Sequence, residues 1–204
     1  MGIMGEESTR DPYDGVSIEP VTEYLVKYKE AFSMQYLYYF MHEWLVIKGY
    51  ADKDQDFGET FFLIRETPPT KEIQIRWRLN RYPDKGNKFW RYDLRVDFLI
   101  LAMKDKEIAV QGKKKTVDSG EIEIKIKAVL VYDSEGKWNK GFWKWVLEKY
   151  VKRISIEQFN IRADALLKEA YEFQEAIKTY FKMGVYTEEP PTGGLFDTVR
   201  FESG

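Results

Sequence analysis

His42 is the only histidine in the chain. It is the one side chain type here whose ordinary pKa suits proton transfer near neutrality or neutral-imidazole metal ligation. Either role needs partners. His42 lies in an aromatic stretch beside Glu43 and two residues from Trp44, a lone histidine cannot form a two-histidine site, and no Asp/Glu cluster with ligand spacing surrounds it. It reads as a core residue. Glu59, Glu66 and Glu72 are the carboxylates nearest to an acid–base arrangement, but nothing in their spacing sets two of them across a cleft. Lys113, Lys114 and Lys115 could meet a phosphate, yet neither a Walker pattern nor a Gly-x-Gly-x-x-Gly accompanies them, and they read as a solvated loop. The absence of cysteine removes disulfides, thiolate metal sites and a cysteine nucleophile. No nucleophile elbow or triad order is present. The expectation is a protein with no catalytic residues, no metal and no cofactor.

Two other groups of residues could do binding rather than bond chemistry. The segment 137–153 carries six cations against one acid, with three Trp and one Phe among them. At helical spacing Trp143, Val146, Leu147, Tyr150 and Val151 form a core face, and Phe142 and Trp145 fall off it. A lysine-solubilised packing helix is the plain reading, and a protein partner the functional one. Stacking on single-stranded nucleic acid and peripheral membrane contact are lesser readings. The second group lies on strands: Arg76, Arg78, Arg91 and Arg95 alternate with core residues and could face nucleic acid. Asp93 and Asp97 interleave with them, and a net charge of −2 with a pI of about 5.7 counts against that partner.

The elements that hold these residues follow from periodicity. Residues 1–20 read as an acidic arm ending at Pro20. Residues 21–48 read as a long helix, with Tyr24, Tyr28, Phe32 and Tyr36 four apart and Gly49 as its C-cap. Its second half is apolar on nearly every side, so Tyr36, Tyr39, Phe40 and Trp44 are candidates for contact with another subunit. Strands are predicted at 61–66, 72–80, 88–103, 107–112 and 121–132, with Lys-Asp-Lys-Glu (104–107) as a turn. Ile73, Ile75, Trp77 and Leu79 alternate with polar residues, as do Trp90, Tyr92, Leu94, Val96 and Phe98. Helices are predicted at 142–152 and 156–183. A linker rich in Pro and Gly leads to a C-terminal arm, 185–204, whose Leu195, Phe196, Val199 and Phe201 could pair with a neighbour.

The predicted fold is a two-layer α+β domain over 21–184. About five strands form a curved antiparallel meander, one face of which is packed by the long N-terminal helix and two C-terminal helices. With 204 residues, 44% hydrophobic and 16% aromatic, the chain can fill such a core and have aromatic surface left over. No signal sequence and no run of about 18 apolar residues is present, which suggests a cytoplasmic protein. The function expected is that of a non-enzymatic assembly subunit, self-associating through its aromatic helix and terminal arms. One alternative is a small-molecule or lipid-binding module, with Tyr36, Tyr39, Trp44, Trp77 and Trp90 lining a pocket between sheet and helix. The other is a nucleic-acid binder using the basic strand face.

Overall fold

The computed structural model describes residues 17–51, 57–110, 113–138 and 141–183. The chain runs through β1 (Ser17–Tyr28), β2 (Ala31–Phe32), α1 (Met34–Ile47), β3 (Glu59–Thr67), β4 (Thr70–Arg81), β5 (Trp90–Val110), β6 (Lys113–Tyr132), α2 (Phe142–Lys149), a π-helical turn (Tyr150–Ile154) and α3 (Ile156–Met183). The strands form one six-stranded antiparallel sheet in the order β1-β6-β5-β4-β3, with β2 added beside β6. The α+β class, the antiparallel sheet and three helices agree with the periodicity of the sequence.

The long N-terminal helix does not. Residues 21–28 are strand, and Ser17–Pro20, expected in an arm, open the same strand. Thr22, Tyr24, Val26 and Tyr28 turn toward the helices, whereas Glu23, Leu25 and Lys27 are more exposed. Residues four apart share a face in a strand as well as in a helix, so the Tyr24–Tyr28–Phe32–Tyr36 spacing fits both. The β-branched and aromatic content of 17–28 settles it locally, and pairing with β6 from Ser17↔Tyr132 to Tyr28↔Ile122 settles it globally.

Helix α1 starts at Ser33. The Ser33 hydroxyl accepts the Tyr36 N–H at 3.4 Å and Asp118 accepts the Met34 N–H at 2.8 Å, so two of the orphan donors of the first turn are satisfied. The helix ends as the sequence suggests. Gly49 takes φ 78°, its N–H reaches the Val46 carbonyl at 2.9 Å, and Tyr50 N–H reaches that of Leu45 at 2.9 Å. This is the Schellman pattern, which needs a residue without a Cβ penalty at Gly49.

The 104–107 turn and the separate strand after it are also corrected. β5 continues through Lys104–Glu107 to Val110, and β6 begins at Lys113. A register shift between Leu101 and Lys104, with Ala102 at φ 52°, bends the hairpin instead of ending it. Gly120 lies opposite, where a Cβ would come within 2.8 Å of the Leu101 carbonyl oxygen.

Helices α1 and α3 cover the apolar face of the sheet. Leu166, Ala170, Phe173, Ile177 and Tyr180 form the buried stripe of α3, which lies over β1 and β6. Polar clamps fix its position. Tyr24 donates its hydroxyl to the Ala170 carbonyl at 2.7 Å, Arg81 pairs with Glu169 at 2.6 Å, and Arg162 pairs with Asp84 at 2.6 Å while lying over the Trp90 ring.

Candidate functional site

The aromatics of α1 are used internally. Tyr36 and Phe40 stack against Tyr180 with centroids 5.6 and 5.8 Å apart, and Trp44 stacks on Phe173 at 4.5 Å. Tyr39 is half-buried. Of the pocket residues expected from the sequence, Trp77 and Trp90 are buried in the core, with Trp77 packed between Tyr38, Phe57 and Phe98. Tyr36, Trp44, Trp77 and Trp90 therefore help to fill the space between sheet and helices.

His42 and Glu59 border one aromatic cluster, whereas Glu66 and Glu72 lie on the β3–β4 hairpin. His42 is buried, with its ring 4.3 Å from that of Phe57 and Nδ1 3.7 Å from Glu43. Glu59 accepts hydrogen bonds from the Tyr38 hydroxyl at 2.9 Å and the Trp77 indole at 3.1 Å. Glu66 pairs with Lys71 and Glu72 with Arg65. Among the described residues, no three His, Asp or Glu side chains gather as metal ligands. Lys113–Lys115 belong to β6, not to a loop.

Acids and cations are interleaved on the charged sheet face. Arg91 grips Asp93 through two hydrogen bonds of 2.6 and 2.8 Å, Arg78 pairs with Asp97 at 2.7 Å, and Arg76 lies over the Phe61 ring. On the neighbouring strands Lys125 and Lys127 both reach Glu23 and hold its carboxyl below the usual range. Across the strands Arg78 stands opposite Arg95 and Arg95 opposite Lys127, so the face carries interleaved charges of both signs, with like charges adjacent at its centre.

The segment around α2 is different. Leu147 and Val151 enter the core and anchor it. On its outer side Phe142 is 70% exposed, Trp143 54% and Trp145 56%; Trp138 and Tyr150 are also exposed. Phe142, Trp145 and Lys149 follow at i, i+3 and i+7, which within α2 is one outward stripe. The rings touch each other, with Trp138 5.4 Å from Trp143 and Phe142 5.8 Å from Trp145, and Lys149 Nζ lies 6.0 Å from the Trp145 centroid. Phe142 and Trp145 were legible as lying off the core face. Trp143 and Tyr150 were not, since strict helical periodicity places them inward. At Tyr150–Ile154 the path widens to a π turn, with Ser155 N–H reaching the Tyr150 carbonyl at 2.9 Å, so a plain 3.6-residue count fails there.

Residues 133–138, which follow β6, are held by side-chain hydrogen bonds. Asp133 is buried at φ 53° and accepts the N–H groups of Lys137 at 3.0 Å and Trp138 at 2.8 Å. Ser134 donates its hydroxyl to the Lys88 carbonyl. Between this loop and the β4–β5 connection lies an open groove of about 500 Å³, lined by Gly86, Lys88, Phe89, Ser134 and Trp138 among others. The remaining predicted contact residues, Leu195, Phe196, Val199 and Phe201, lie outside the described residues, as do both arms apart from Ser17–Pro20. No helix among the described residues is long and apolar enough to cross a membrane. In comparisons with known proteins, no family model matches the chain, and no curated protein matches it in sequence.

Proposed function

We propose that the protein is a non-enzymatic association module, a rigid sheet-and-helix body that attaches to a larger assembly through the outer face of α2. The reading of the sequence as an assembly subunit is kept, but the contact surface moves. Tyr36, Phe40 and Trp44 of α1 are stacked on α3, which leaves less aromatic surface there for a second subunit. The observation that carries the proposal is the exposure of Phe142, Trp143 and Trp145 side by side on a helix anchored from behind by Leu147 and Val151. Single exposed apolar residues are ordinary, whereas a contiguous aromatic group on a fixed support marks a contact surface.

The test is fractionation of the full chain from the cells that make it. Wild type is expected in a high-mass or particulate fraction, and the double variant Phe142→Ser/Trp145→Ser in the monomer fraction with an unchanged melting temperature. Co-fractionation of the two proteins would remove the proposal.

A further inference from the structure

Resting on the reading that α2 presents the contact face, we infer that this face seats on an anionic lipid bilayer surface. The stripe is divided along its length. Phe142 and Trp145 stand at its start and Lys149 at its end, reaching back over the Trp145 ring, with Arg153 exposed in the π turn beyond. Indole and phenyl rings settle at the boundary between headgroups and acyl chains, while long cationic side chains extend along them and keep their charge at the phosphates. Within residues 142–154 the sequence holds Lys144, Lys149, Lys152 and Arg153 against the single acid Glu148. The surrounding molecule is net negative, so this positive charge is local to the aromatic face.

Charge also separates the bilayer from a second copy of the chain. A two-fold contact places a patch against itself, so Lys144, Lys149 and Arg153 would meet their own duplicates with only Glu148 to offset them. An anionic bilayer offers an apolar layer and a sheet of negative phosphates together, matching both halves of the stripe. The support is suited to shallow seating. Leu147 and Val151 fix the helix from behind and Asp133 holds the backbone of Trp138, so the rings are presented without reordering the fold.

The experiment is co-sedimentation of the full chain with vesicles of phosphatidylcholine alone, and with vesicles that also contain phosphatidylglycerol. Wild type is expected to sediment with the anionic vesicles, to be released by added salt, and to stay in solution with the neutral ones. Phe142→Ser/Trp145→Ser and, separately, Lys149→Glu should each weaken retention by about tenfold or more while leaving the melting curve in place. No retention on anionic vesicles, equal retention on neutral ones, or full retention of both variants overturns the inference. If sedimentation equilibrium instead finds wild-type self-association that Phe142→Ser/Trp145→Ser abolishes, the occupant is a second copy: the bilayer falls and the contact face stands. If neither vesicles nor self-association appear but the high-mass fraction in cells persists and depends on Phe142 and Trp145, the occupant is a protein partner, and again only the bilayer falls.

Discussion

The carboxylate of Asp133 accepts the backbone N–H of Trp138 at 2.8 Å, five residues along the chain, from a buried position with φ 53°. That contact ties the end of β6 to the start of the aromatic face. A second bond, from Lys137 N–H at 3.0 Å, closes the same loop, so one side chain satisfies two donors that helix and sheet leave unpaired.

Asp133 is therefore expected to govern the stability of the platform. Asp133→Ala strips both acceptors, keeps a strained left-handed backbone, and should cost about 2–3 kcal/mol. Asp133→Asn retains one acceptor oxygen and tolerates the left-handed region, so its cost should stay under about 1.5 kcal/mol. Urea unfolding of the two variants checks the order, and an equal loss for both would show that the acceptor pair is not what holds the loop.

Aromatic residues on α1 and α2 should differ sharply when truncated. Trp44→Ala removes the ring stacked 4.5 Å from Phe173 and should destabilise by about 2–3 kcal/mol, near the lower end for a large-to-small change because Trp44 is half-buried. Trp145→Ala, on the exposed stripe, should stay within about 0.5 kcal/mol of wild type. Thermal or urea unfolding of the pair provides the comparison. A large cost at Trp145 would make that residue part of the core.

Asp118 combines a useful bond with a buried charge. Burial raises its carboxyl pKa above 3.8, against the opposing effect of the Met34 N–H. The folded chain then binds this proton at a higher pH than the unfolded chain, so the ionised group is a liability above the folded pKa that is relieved as pH falls through it. Asp118→Asn keeps an acceptor for Met34 N–H without the charge, and at neutral pH it should be at least as stable as wild type. The difference should shrink as pH approaches 3.8. Asp118→Ala, which removes the acceptor, should cost about 1 kcal/mol in mildly acidic solution and less at neutral pH, where wild type carries the buried charge. Unfolding curves at neutral and mildly acidic pH decide between these outcomes.

How much of this was legible depended on whether one period fitted alone. The cores of β4, β5 and β6 were readable because Ile73–Leu79, Trp90–Phe98 and Ile122–Leu130 alternate in twos and in no other way. Tyr24, Tyr28 and Phe32 were misread because a spacing of four suits both element types, and only pairing to β6 decides. Lys104–Glu107 resembled a turn because its composition is polar, whereas a bulge at Ala102 bends the strand onward. At the candidate site, Phe142 and Trp145 could be placed outside the core from their phase relative to Leu147 and Val151. That Tyr180 and Phe173 complement Tyr36, Phe40 and Trp44 could not be read, since it depends on how α3 crosses α1.

Three tyrosines whose hydroxyls donate to internal acceptors make the fold sensitive to alkali. Tyr24, Tyr50 and Tyr180 donate to the Ala170 carbonyl, the Glu169 carboxylate and the Ser33 carbonyl respectively. Burial is the main cause that holds their hydroxyl pKa values well above 10, and at Tyr50 the Glu169 charge adds to it. Their stabilising contribution is complete below the unfolded value near 10 and is lost as pH rises past it. Tyrosinate absorbance should thus rise in two stages, exposed rings first and these three together with loss of helical circular dichroism. A single early rise with the helices intact would show that these rings are open to solvent.

The claim on which the account depends is that Trp138, Trp143 and Trp145 are held in water until something covers them. Hydroxyl-radical footprinting of the chain, purified and in the cells that make it, measures this directly at each indole. The three should be readily oxidised in the purified protein, well ahead of Trp77 and Trp90, and become protected in the cell. Equal oxidation in both settings, or protection of the three in the purified protein, would contradict it.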